Sequence, residues 1–133
     1  MLGTGAGRYS PPMTSGYADR IAGFVEQAER DRREFDPPSD PPDEELAMTF
    51  LREGLGPLVA LYLEARTAEW DVEFSAAELE QFHRATNAWL ALYAQCYGVE
   101  MEPDVTVRRA AELLLDTDNI RDTAQLLTRI PSR

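Results

Sequence analysis

The 133-residue chain contains no lysine: all 13 of its basic residues are arginine, they face 24 acidic residues, and the formal net charge is -11. A surface so rich in carboxylates lacks the basic footprint on which recognition of a phosphate backbone depends. Cysteine occurs once, at Cys96, so no internal disulfide can form, and the opening MLGTGAGRYSPPM has no apolar stretch of the signal-peptide kind. Both absences point to the cytoplasm. Long hydrophobic runs are missing too. The longest, LGPLVALYL at 55–63, falls far short of the roughly 20 residues that span a bilayer, so no membrane segment is expected.

Histidine also occurs once, at His83. The stretch EQFH, from Glu80 to His83, has the Glu-x-x-His form of di-iron helix bundles, but those sites need a second such element, which one histidine excludes within one chain. Cys96 and His83 lie on one predicted helix, about 20 Å apart at 1.5 Å per residue, too far for a nucleophile and its base. DTDNIRDTAQLL, 116–127, begins like a calcium loop. It then puts Ile120, Arg121 and Leu127 where a ligand, the glycine and the glutamate belong. GTGAG, 3–7, follows no strand and opens no helix, so it is no phosphate loop. No catalytic, cofactor-binding or metal-binding residue is therefore assigned, and no cofactor is expected.

What is present is helical periodicity, with 44% hydrophobic residues, enough for one core. Neither strand-like alternation nor an internal repeat is seen. Residues 1–15 are rich in glycine and proline and predict a mobile tail; 16–133 predict a single helical domain. Tyr17, Ile21, Phe24, Val25 and Ala28 share one face of a first helix, capped by Ser15 and ending near Glu34 with a polar, protruding last turn. DPPSDPP, 36–42, stops that helix, because each proline pushes the residue before it out of the α conformation. Pro42 then opens the second helix, with Asp43, Glu44 and Glu45 at its positively polarised end. Pro38 and Pro41 also satisfy PxxP, but their acidic flanks favour a hinge over a polyproline ligand.

The second helix runs to about Glu69 with Leu46, Phe50, Leu58, Leu61, Tyr62 and Ala65 in one phase. Pro57 predicts a kink in it, and Gly54 and Gly56 allow close approach of another backbone. After the linker WDVEF, Ser75 and Glu78 form a capping box. Leu79, Phe82, Thr86, Trp89, Tyr93 and Cys96 then line a long aromatic helix that Gly98 stops. Two shorter helices follow Pro103, divided at Asp116, Thr117 or Asp118 and ended by Pro131. The predicted architecture is all-α: a compact bundle of five or six helices with a kinked second and a central aromatic fourth helix.

Arg108 and Arg109 break a local rule, since positive charge in the first turn of a helix opposes its dipole. Either the segment 26–45, with nine acids and three arginines, lies against them, or they contact an anionic ligand or partner. Residues 104–130 also have the outline of a DNA-binding helix-turn-helix using Arg121 and Arg129. However, 104–133 holds five acids and five arginines, so nucleic acid is not the expected partner. A carboxylate-based enzyme is the other alternative, with no pair of acids identifiable from sequence. The acidic, lysine-free composition resembles that of cytoplasmic proteins from extreme halophiles, where molar salt shortens the Debye length to roughly 3 Å and relieves charge repulsion. By elimination, the expected function is a non-enzymatic protein-protein interaction module in a high-salt cytoplasm, its partner an unidentified protein or a second copy.

Overall fold

The computed structural model describes residues 16–67 and 73–132. Within them run α1 (Ala18–Glu34), α2 (Glu44–Phe50), a π turn (Leu51–Leu55), α3 (Gly56–Arg66), α4 (Ala76–Cys96), α5 (Val107–Thr117) and α6 (Ile120–Thr128). No strand occurs among the described residues. Because α2, the π turn and α3 are continuous from Glu44 to Arg66, five rods pack together. The expected cap Ser15, the tail before it, and Trp70 to Val72 of the linker lie outside the described residues.

The aromatic helix α4 is the centre, touching every other helix. Its capping box forms as the sequence predicts: Glu78 N–H donates to Ser75 Oγ at 3.1 Å and Ser75 N–H to Glu78 Oε1 at 2.9 Å. Phe82, Trp89 and Tyr93 are fully buried. Gly98, at φ +82°, turns the chain away after Cys96. Leu79 departs from expectation, since it is 44% exposed and not part of the core.

The last turns of α1 do not protrude. The Trp89 indole N–H donates to Asp31 Oδ2 at 2.9 Å, Glu29 pairs with Arg84, and Phe35 packs against Phe50 with ring centres 5.9 Å apart. Polar residues at the end of an amphipathic helix thus serve as anchors to α4. The second helix begins after Pro42, and Asp43 is its cap, accepting from Leu46 N–H at 3.0 Å.

The kink expected at Pro57 takes the form of the π turn. Gly56 N–H reaches back five residues to Leu51 O. Pro57 has no N–H for the Glu53 carbonyl, and that carbonyl instead accepts from the Gln27 side chain of α1 at 2.9 Å. Gly54 faces a side chain and not another backbone. A Cβ there would lie 2.4 Å from Trp89 Cε2, so glycine is what lets the indole lie against the turn.

The continuous helix Glu44–Arg66 is also the one described helix long and apolar enough to cross a membrane by length and composition. The apolar run at 55–63 underestimates it, because α2 and the π turn add Leu46, Ala47, Met48, Phe50 and Leu51. In the fold, its Leu51, Leu55, Leu58, Val59, Leu61 and Tyr62 belong to the shared core.

Asn119 divides the last two helices, and none of Asp116, Thr117 or Asp118 caps α6. Its side chain accepts from Asp122 N–H, while Asp118 takes the left-handed conformation that closes α5.

Candidate functional site

One cleft of about 720 Å³ opens where the end of α3 meets the starts of α4 and α5. Its floor is aromatic. Phe74 stacks on Tyr62 at 5.8 Å between ring centres and meets Phe82 edge-on at 4.9 Å. Phe74 stands immediately before the cap Ser75 and Leu79 four residues after it, the two positions of a hydrophobic staple, and both line the cleft. The linker reading of WDVEF missed Phe74. Its position one residue ahead of a capping box was the available signal.

The opposite wall is the start of α5, with Thr106, Val107 and Arg108. Thr106 caps this helix by accepting from Arg109 N–H at 3.1 Å. Asn87 of α4 holds the preceding segment in place: its Oδ1 accepts from Val105 N–H at 2.8 Å, and its Nδ2 donates to Val105 O at 2.9 Å and to His83 O at 2.8 Å. Next to it, His83 Nε2 bonds Asp104 Oδ1 at 2.9 Å. These contacts set the distance between α4 and α5, and so the width of the cleft. Helical periodicity gives Asn87 no role, because its partner is a loop backbone eighteen residues away.

Of the two arginines singled out by sequence, Arg108 lines the cleft and Arg109 does not. Their expected acidic counterpart in 26–45 is not beside them. Glu112, a turn further along the same helix, pairs with Arg108 at 3.5 Å and Arg109 at 3.7 Å. A local ion pair thus offsets the unfavourable dipole position. Glu80 faces the cleft with Glu73, and neither makes an ion pair with a described residue; Arg66, on the α3 side, also makes none. Two carboxylates, Glu73 and Glu80, and two guanidinium groups, Arg66 and Arg108, therefore line the opening.

Other candidates from the sequence are placed apart. Cys96 is fully buried in the core, and its thiol is pushed up to about 11 by burial and by the nearby Asp43 carboxylate. No described group of three or more His, Cys, Asp or Glu side chains is arranged to hold a metal ion. In the α5–α6 hairpin, Arg121 points back to Glu44 at 3.7 Å, and the outward surface carries Leu115 and Leu126, 68% and 51% exposed.

No curated protein and no solved structure matches the chain. A family model matches residues 15–132, nearly all of the described fold, and by it the chain belongs to the family described as Domain of unknown function (DUF8055).

Proposed function

We propose that the chain is a non-enzymatic protein-interaction module of a high-salt cytoplasm, and that its cleft seats an apolar anchor from an arginine-bearing partner segment. The observation that carries this reading is the cleft itself: an aromatic floor with the exposed Leu79 at its edge, beside Glu73 and Glu80, which have no ionic partner among the described residues. Buried aromatic or aliphatic anchors supply most of the affinity of such interfaces, and the -11 net charge steers basic partners toward the surface. The salt adaptation rests on composition. The absence of lysine and the excess of carboxylates are its support.

Affinity capture in molar KCl, with wild type and the Leu79→Arg variant side by side, tests the reading. The expected result is a protein retained by wild type and lost by the variant, whose contact segment maps to an apolar residue flanked by arginine. Capture that is indifferent to Leu79→Arg overturns the cleft as the binding surface. Enrichment of nucleic acid by both chains would favour a DNA-binding role for 104–130, and a co-purifying metabolite would favour a carboxylate-based enzyme.

A further inference from the structure

We infer that the outward face of the α5–α6 hairpin pairs two copies of the chain across a two-fold axis, Leu115 of each seated beside the partner's Leu126.

The core uses part of the apolar content of this hairpin and leaves the rest outside. Leu114 and Leu127 pack against the core, whereas their neighbours Leu115 and Leu126 are the two most exposed large hydrophobic residues described. Single leucines scattered over a surface are ordinary. Here, however, a hollow of about 430 Å³ lies against one of them, lined by Gln125, Leu126, Arg129, Pro131 and Ser132. The hairpin thus carries both an exposed leucine and a recess with a second leucine in its wall. A contact that joins the two is reciprocal under a two-fold axis, since each copy supplies the one and receives the other.

Charge selects a second copy as the occupant. Residues 107–129 hold four acids and four arginines, so the entire -11 belongs to the rest of the chain. For another chain of the same charge, this face is the approach with the least repulsion. Within the hairpin, Arg108 and Arg109 share Glu112, and Arg121 turns to Glu44. Asp116 and Arg129 are exposed and make no ion pair with a described residue. Asp116 follows Leu115 in the chain, and Arg129 lines the recess with Leu126. The contact that seats the leucine therefore brings Asp116 to the partner's Arg129, twice in each dimer. Salt sets when it forms: a Debye length of roughly 3 Å at 1 M removes the long-range repulsion between the two bodies, while a pair enclosed by the contact is screened much less.

Light scattering across a concentration series of the full chain in molar KCl tests the inference. The mass should climb from 15.0 kDa toward twice that value, with less dimer in dilute buffer. Leu115→Gln and Leu126→Gln should each raise the dissociation constant by about tenfold or more, because every substitution acts twice by symmetry. Both positions face solvent in the single chain, so circular dichroism should not change. Arg129→Asp should weaken the dimer as well, and adding Asp116→Arg to the same chain should restore it. A mass that stays at 15.0 kDa at every concentration, growth beyond the dimer, a dimer indifferent to either leucine substitution, or a charge exchange that restores nothing overturns the inference.

The cleft reading and this one fail separately. Leu79→Arg should leave the dimer intact whether or not it abolishes capture of a partner. A dimer that Leu79→Arg abolishes and both leucine variants keep would put the contact at the cleft and reject the hairpin.

Discussion

At the scale of single residues, Trp89 joins most of what is specific to this core. It is fully buried, bonded to Asp31 and crossed by Phe24 at 6.3 Å, and its indole occupies the space that the missing Cβ of Gly54 leaves open. Gly54→Ala should therefore destabilise the fold by about 1–3 kcal/mol through overpacking. In a Trp89→Leu background the same substitution should cost much less, and denaturant melts of the four variants give the coupling directly. Equal costs in both backgrounds would mean that the glycine serves the helix and not the indole. Thr86 makes the opposite prediction. It is fully buried, and its hydroxyl has no hydrogen-bond partner among the described residues. Thr86→Val should leave stability unchanged or raise it by about 1 kcal/mol, since it removes a desolvated polar atom at nearly constant shape; a clear loss in a urea melt contradicts this. Helical spacing marked Trp89 and Thr86 as inward-facing. It could not identify Asp31 as the indole's acceptor, because a hydrogen bond across 58 residues leaves no periodic trace.

At the scale of elements, local signals survived folding well. The capping box of α4, the glycine stop at Gly98, the proline break after α1 and the division between α5 and α6 all depend on a few adjacent residues, and all lie within a few positions of where the sequence puts them. The cleft was far less legible, since it is made by side chains that bridge elements. Asn87 shows why. Its value comes from bonds to Val105, and these exist only once the segment after Pro103 folds back along α4. Asn87→Ala should cost about 1–3 kcal/mol, because it strands a backbone donor and acceptor. The loss should also be local, with hydrogen exchange accelerated first at Val105 and in the opening turn of α5, while the middle of α4 stays protected. Uniform acceleration would show that Asn87 supports the whole bundle and not this wall.

At the scale of the whole molecule, charge and burial pull stability in different directions. Asp36 and Asp40 lie exposed between α1 and α2 without an ion pair to any described residue, whereas Asp43 caps α2 and Glu44 faces Arg121. Molar KCl should raise the thermal midpoint of the wild type. The pair of substitutions Asp36→Asn and Asp40→Asn should raise it in dilute buffer and shrink the KCl response. A midpoint that stays flat or falls with KCl rejects salt adaptation. At alkaline pH a different loss sets in. The Cys96 thiol is raised from 9.0 to about 11, and burial also pushes the Tyr93 phenol up. Both groups bind their protons more tightly when folded, so the stability they contribute is complete below the unfolded values and disappears as pH climbs. For Cys96 the decline should fall between about pH 9 and 11, and Cys96→Ala should flatten it in pH-dependent urea melts.

The π turn has one further consequence, which concerns rotation. In an α-helix each residue advances the side chains by about 100° around the axis, so a turn closed over five residues delays everything after it. Tyr62 and Arg66 reach the cleft in the orientation that this delay gives them. Pro57 and Gly54, which look like points of bending, together act as a phase setting between two halves of one rod. Shortening the turn by a single residue would leave the rod helical yet swing its far half by about 100°, taking the Tyr62 ring out of its stack with Phe74. Along this stretch the number of residues matters as well as their identity, because it sets the direction in which the far half of the rod faces.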